Sequence, residues 1–190
     1  MVLGPAFYDR PTLNVAADLI GKVLVHTVRG KRTSGVIVEV EAYIGESDPA
    51  CHAAPGPTRR NQPLYGPPGR AYVYLNYGIH YLVNAVTERE GFPAAVLIRA
   101  LEPLEGVVAM RRRRGRKGLD DMKLCAGPGK LTRALGIGPR NHRADLTSGD
   151  VTIEDQGLPK RPLEWSPRIG ISVGKKHRWR CYDPTSPAVS

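Results

Sequence analysis

Between Gly35 and Tyr43 the sequence alternates in a way that suits an extended strand. Successive strand side chains point to opposite faces, so Val36, Val38 and Val40 line one side while Ile37, Glu39, Glu41 and Tyr43 line the other. Such a strand belongs in a sheet with one apolar face and one face that carries two carboxylates and a phenol. The apolar run before it, Lys22 to Val28, reads as a partner strand, and the turn-rich Arg29 to Ser34 joins the two as a hairpin.

The remaining segments add short elements around that sheet. Thr12 caps a helix whose Leu13, Ala16, Ala17 and Ile20 share a face and which Gly21 ends. Ala71 to Val86 reads as a second hairpin, with Asn76-Tyr77-Gly78 at its turn and the Tyr77 ring exposed. Ala95 to Ala100 is a buried strand, Leu104 to Arg114 a helix entered after Pro103, and Pro128 to Leu135 another helix. Strands follow near Val151 to Glu154, Arg168 to Val173 and Arg178 to Asp183. The expected fold class is α+β: a single compact domain over residues 1–190, with a mainly antiparallel β-sheet, a protruding β-hairpin and surrounding short helices. A chain of 190 residues is long enough for one sizeable core.

No apolar run approaches the roughly 18 residues of a membrane span, and no secretory signal is visible, so the expectation is a cytoplasmic protein with no membrane partner. The three cysteines, Cys51, Cys125 and Cys181, form no CxxC pair and read as structural thiols of a reducing compartment. Charge is more informative. The chain carries a formal +10. Residues 111 to 180 hold 18 basic and 7 acidic side chains, a net of +11, which leaves 10 basic and 11 acidic, a net of −1, elsewhere. The densest stretch is Arg111-Arg112-Arg113-Arg114-Gly115-Arg116-Lys117. A polyanionic partner is expected, and each phosphate neutralised by such residues releases about one counterion. A solvated helix end is the bland alternative.

Glu39 and Glu41 lie two apart, about 7 Å by strand rise, which is too far for a shared-proton pair. One acts on water as a general base and the other orients it, or both are solvated on an edge strand. The Pro- and Gly-rich stretch from Gly45 to Gly69 is the length and composition of a functional loop. Five of the eight tyrosines, Tyr65, Tyr72, Tyr74, Tyr77 and Tyr81, fall within 17 residues. Some fill the core, but strand parity separates Tyr72 and Tyr74 from Tyr77, giving a stacking floor and a wedge of the kind that base extraction requires. Glu41, Asp48, His52, His80 and Asp120 are metal-ligating residue types, yet their spacing fits no HExxH, EF-hand or CxxC pattern, so no metal and no other cofactor is expected. Gly127-Pro128-Gly129-Lys130 continues with Leu131 and is not a Walker motif, although the amides of that helix start suit one backbone phosphate.

The strings Val40-Glu41-Ala42-Tyr43-Ile44-Gly45, Ala50-Cys51-His52 and Thr58-Arg59-Arg60-Asn61 resemble the alkyladenine (3-methyladenine) DNA glycosylase family. The likeness continues through Tyr72 to Gly78, Asn84, Ile98 to Gly106, Leu124 to Leu131, Arg168 to Ile171 and Ser186-Pro187. The resemblance implies a monofunctional enzyme of base excision repair that flips an alkylated or deaminated purine out of double-stranded DNA, hydrolyses its N-glycosidic bond and leaves an abasic site. It implies Glu41 as the carboxylate that deprotonates water, with Arg99 and the backbone carbonyl of Ile169 positioning that water. Tyr43, His52 and Tyr74 correspond to the residues that sandwich the base, the His52 amide to a donor at its edge, Asn84 to the group that crowds the amine of guanine, and Tyr77 to the intercalating ring. Arg60, Arg111, Arg112 and Lys130 are candidates for contact with the DNA backbone. The protein is expected to work as a monomer on duplex carrying a damaged purine. The hairpin tip, Tyr77-Gly78-Ile79-His80, departs from vertebrate members. The alternatives are a non-enzymatic nucleic-acid-binding module and a metal-dependent nuclease.

Overall fold

A computed structural model describes residues 1–115 and 118–190 of the chain. The elements run α1 (Pro5–Tyr8), α2 (Thr12–Leu19), β1 (Val23–Val28), β2 (Lys31–Ile44), β3 (Ala71–Asn76), β4 (His80–Val86), β5 (Ala94–Glu105), α3 (Val107–Arg114), α4 (Pro128–Leu135), β6 (Val151–Glu154), β7 (Glu164–Ser166) and β8 (Arg180–Tyr182). One sheet has the order β3-β4-β5-β2-β1-β6, with β8 joined to β2 and β7 to β8. Its pairings among the described residues are antiparallel, so the α+β expectation holds.

The sheet has two unlike faces. Val40 and Ala42 of β2, Val73 of β3, Val83 and Ala85 of β4, and Val96 and Ile98 of β5 enter one core with Val15, Ala16 and Leu19 of α2, Met110 of α3 and Leu131, Ala134 and Leu135 of α4. Period-2 alternation turns their sequence neighbours, among them Glu41, Tyr43, Tyr72, Tyr74, Asn84, Leu97 and Arg99, to the other face. On that side the segment after β2 supplies Cys51, Ala53 and Leu64, which pack against Tyr72, Val86 and Ala95.

Several sequence expectations are corrected. Thr12 is the first residue of α2 rather than its cap, and its hydroxyl donates to Glu88 at 2.8 Å. The buried stripe of α2 is Thr12, Val15, Ala16 and Leu19, one position earlier than the Leu13-based spacing. The first hairpin turns on Arg29 and Gly30 alone, both at positive φ (50° and 73°), which lets β2 begin at Lys31. Leu104 and Glu105 stay in β5, where Glu105 pairs with Ser34, and α3 starts only after Gly106 at φ 73°. Residues 168–173 form no strand. Pro167 precedes them, and the Arg168 side chain and Ile169 amide bond to groups on and beside β2; the extra strand is β7.

The alternation in β2 is broken once. Ile37 pairs with Leu101, Glu39 with Ala100 and Val40 with Ile98, so Val38 bulges from β2 and Arg99 from β5. Ile37 therefore joins Val40 in the main core, while Val38 packs with Ala100 and Ala188 in a separate cluster. The solvated edge-strand alternative fails as well: β2 is interior to the sheet, and Glu39 and Glu41 are both 0% exposed.

Candidate active site

Three adjacent strands and one bulge assemble a buried ionic cluster. Glu39 Oε1 accepts from Nε of Arg99 at 2.9 Å and from Nε of Arg180 at 2.6 Å, and its Oε2 accepts the Ser190 amide at 2.7 Å. Burial works against the charged carboxyl, but Arg99 and the Ser190 amide outweigh it and hold Glu39 below the usual carboxylate range. Glu41 is held differently. Its Oε1 accepts the Ile169 amide at 2.7 Å and faces Nη1 of Arg99 at 3.3 Å, and its Oε2 accepts the Tyr43 hydroxyl at 2.8 Å. Burial, reinforced by the Glu41 charge, pushes the Tyr43 phenol far above its ordinary range and keeps it a donor.

In front of this cluster lies a cavity of about 280 Å³. Tyr43, Arg99 and Ile169 line it, so Glu41 sits one layer behind the wall and is reached through its own partners. The aromatic lining is ordered: His52 and Tyr74 meet edge to face with centroids 4.5 Å apart, and Tyr72 leans on Tyr74 at 5.3 Å. The Tyr72 hydroxyl and His52 Nδ1 are 2.9 Å apart. Burial and the nearby Arg60 push the His52 pKa down, so the imidazole is neutral at neutral pH. Asn84 lines the cavity and commits its Nδ2 to the Tyr72 carbonyl at 3.0 Å.

The loop from Gly45 to Gly69 is fixed by two polar anchors. Asp48 makes a fully buried, two-pronged ion pair with Arg168 at 2.6 and 2.7 Å; burial raises its carboxyl, and the Arg168 contacts then pull it below the ordinary range. The same guanidinium stands 4.6 Å from the Tyr43 ring centroid and backs it. Asn61 donates to the carbonyls of His52 and Gly56, both at 2.8 Å, and accepts the Thr58 amide at 2.7 Å. Cys51 lines the cavity as an inert thiol, its pKa pushed up to about 11 by burial; Cys125 and Cys181 are also free and buried.

Tyr77 stands at the mouth. It is 84% exposed and holds φ 48° beside Gly78 at φ 69°, a left-handed pair that a tyrosine seldom enters. Leu75 and Ile79 flank it and are exposed too. The first turn of α4 is pressed against this hairpin, since a Cβ on Gly129 would lie 2.7 Å from the His80 ring. Lys130 is exposed on that turn, and Pro128 reaches the cavity wall.

The structure thus brings Glu41, Tyr43, His52, Tyr74, Asn84, Arg99, Ile169 and Tyr77 together at one cavity. The basic residues divide. Arg60 is exposed, with its guanidinium 5.7 Å from the Tyr74 ring. Arg112 is exposed, whereas Arg111 donates to the Leu119 carbonyl at 2.8 Å and pairs with Asp121 at 2.7 Å. Arg116 and Lys117 lie outside the described residues. Much of the positive charge after residue 110 also serves internal contacts, including Arg161 with Glu102 and Asp183, Arg168 with Asp48 and Arg180 with Glu39. Sequence reasoning missed Arg168, Arg180 and Ser190 as builders of the site, because their contacts with Asp48, Glu39 and Arg99 span 91 to 151 residues of sequence. Lys175, Lys176 and Arg178, exposed on the segment after the cavity-lining Ile169 to Ile171, were visible only as part of the overall charge. Among the described residues no three His, Cys, Asp or Glu side chains gather as a cation site, and no helix is long and apolar enough to cross a membrane.

A buried carboxylate facing an arginine thus lies behind an aromatic cavity with an exposed tyrosine at its lip. The sequence profile of the methylpurine-DNA glycosylase family matches residues 6–187. A protein of Chlorobaculum tepidum named as a candidate 3-methyladenine DNA glycosylase is 46% identical over 190 residues, covering 99% of this chain and 90% of its own length. Similarly named proteins of Methanocella arvoryzae and Rubrobacter xylanophilus are 47% and 52% identical, covering 100% and 86% of this chain and 96% and 84% of their own. The chain belongs to the methylpurine-DNA glycosylase family: it is a DNA repair hydrolase acting on N-glycosyl bonds.

Proposed function

We propose that this chain, acting as one domain and as a monomer, removes 3-methyladenine, 7-methylguanine, hypoxanthine and ethenoadenine from duplex DNA by flipping the purine into the cavity and hydrolysing its bond to C1′. The observation that carries this reading is the position of Glu41, buried yet bonded to three groups that line the aromatic cavity. An ionised carboxylate offers about four acceptor positions, and these contacts occupy three. The Arg99 contact, at 3.3 Å, is the longest and the one a water enters: the water accepts from Nη1 and donates to Oε1. With Ile169 bonded to Glu41 through its amide, its carbonyl serves as a second acceptor for the same water.

Cleavage passes through an oxocarbenium-like state, so Glu41 both takes the proton of the nucleophile and stabilises the sugar cation. His52 and Tyr74, in contact with each other, act as one wall for the base and Tyr43, backed by Arg168, as the other. The His52 amide donates to the base edge. A neutral His52 puts no positive charge against an alkylated, cationic purine. Asn84 crowds the amine of guanine and so discriminates against undamaged base. Tyr77 enters the gap in the duplex, offsetting the few kcal/mol that flipping costs. Arg60, Arg112 and Lys130 meet backbone phosphates, and Arg111 joins them while keeping its bond to Leu119. Among the described residues no lysine lines the cavity, and the scheme, which uses water as the nucleophile, leaves an intact abasic strand. The chemistry calls on neither metal nor cofactor.

The test is a duplex with one hypoxanthine. Release of free base, followed by strand breakage only on alkali treatment and unchanged in excess EDTA, supports the reading. Tight binding without release favours a binding module, and loss of activity in EDTA a metal-dependent nuclease.

A further inference from the structure

The segment Ser186–Ser190 belongs to neither a helix nor a strand, yet it reaches the centre of the ionic cluster. Its turn is built on Asp183, which accepts the Thr185 amide at 2.9 Å and the Thr185 hydroxyl at 2.6 Å and is ion-paired with Arg161. Ala188 is completely buried between Val38 and Ala100, the bulged residue of β2 and the neighbour of the bulged Arg99 on β5. That seat carries Ser190 over the guanidinium. Ser190 donates its amide to Glu39 Oε2 at 2.7 Å, its hydroxyl accepts from Nη2 of Arg99 at 3.1 Å, and its carbonyl accepts from Nη2 of Arg180 at 3.3 Å.

Each edge of the Arg99 guanidinium is therefore assigned. Nε goes to Glu39, Nη2 to Ser190 and Nη1 to Glu41. A guanidinium is planar, so fixing Nε and Nη2 fixes the direction of Nη1. We infer that Ser190, together with Glu39, is a positioning residue for catalysis: it locks the Arg99 plane so that Nη1 presents the nucleophilic water to Glu41. Glu39 supplies the counter-charge and Ser190 the rotational stop. This rests on the reading of Arg99 as the group that positions the water. Ser190 itself is exposed, so its substitution tests the geometry without disturbing the core.

The experiment compares three variants. Ser190→Pro removes both the amide donor and the hydroxyl, Ser190→Ala removes only the hydroxyl, and Ser190→Thr keeps both. Two readouts are taken: the guanidinium nitrogen resonances of Arg99, assigned by their loss in Arg99→Lys, and single-turnover release of hypoxanthine alongside the Kd for the same duplex. The expectation for Ser190→Pro is a moved or exchange-broadened Arg99 Nη signal and a release rate about fivefold to tenfold lower, with Kd within twofold of wild type. Ser190→Ala falls about twofold to threefold and Ser190→Thr matches wild type. The proposal is overturned by unchanged Arg99 resonances in Ser190→Pro, by a rate within twofold of wild type in that variant, or by a loss that appears in Kd rather than in rate. A wild-type protein that releases no base sinks the glycosylase reading instead, and the resonances then decide the positioning role alone.

Discussion

Glu39 and Glu41 are two residues apart on one strand, equally buried, and both within reach of Arg99, yet they are not equivalent. Glu39 is held by two guanidinium groups and a peptide amide, all within 2.9 Å. Glu41 has a peptide amide and a phenol close by, and among the described residues its ionic contact is the looser one with Arg99 at 3.3 Å. Burial alone therefore does not mark a functional acid. Under the proposed function, what separates a structural carboxylate from a reactive one is the number and strength of positive partners and the nature of what lies in front: protein for Glu39, a cavity wall for Glu41.

If this contrast is right, neutralising each acid has a different signature. Glu39→Gln leaves Arg99 and Arg180 with one weaker partner, and breaking a buried pair is costly, so stability falls by about 3 kcal/mol. For a chain of this size that corresponds to roughly 6–12 °C in Tm, measured by thermal denaturation. A Tm within a degree or two of wild type would erase the distinction between the acids. Glu41→Gln reverses the pattern: base release drops by about 100-fold or more while binding to damaged duplex persists, because a positioned base contributes that much. Single-turnover rates with gel-shift binding check it, and near-normal turnover would move the role elsewhere.

Tyr77→Ser supplies a baseline outside both acid environments. The ring is 84% exposed, so its loss changes folding stability by no more than about 0.5 kcal/mol. Removing one stacking ring weakens retention of damaged duplex about tenfold, with a smaller loss on intact duplex; equal losses on the two would count against a wedge. The smallest effect is in pH. Burial pushes His26, His52 and His142 below their ordinary 6.5, so the unfolded chain binds more protons just below that pH. Stability is then full above pH 6.5 and declines as pH falls beneath it. The depressed carboxyls act lower: the contributions of Glu39 and Asp48 are intact above about 4.5 and 3.8 and are lost as pH falls through their lowered values. A melting series across pH reads both steps, and a Tm rising between pH 6.5 and 5 would contradict the first.

The sequence revealed local patterns better than distant ones. Pro128 to Leu135 is a helix at the expected bounds, and the Tyr77 hairpin has the expected turn, because capping, proline and turn chemistry act within a few residues. Strand parity correctly grouped Glu41 with Tyr43 and Tyr72 with Tyr74. It misplaced Ile37, since a bulge is an offset between two strands 60 residues apart and leaves little trace in either. The Leu104 helix was extended backward because an apolar run after proline reads as a helix start, whereas pairing with Ser34 keeps those residues in the sheet. Arg168, Arg180 and Ser190 joined the site only through tertiary contacts. The matched strings named Glu41 and Arg99, but not the partners that hold them.

The bulges at Val38 and Arg99 are matched. Deleting Val38 alone would leave Ile37 and Val40 two residues apart, so both would still face the helices and Glu41 and Tyr43 would keep their side; what would go is the Val38 contact with Ala100 and Ala188. The two offsets cancel, so Ile37 meets Leu101 and Val40 meets Ile98 in one register, and a one-residue change of length on either strand would be taken up at the bulge rather than in the faces beyond it.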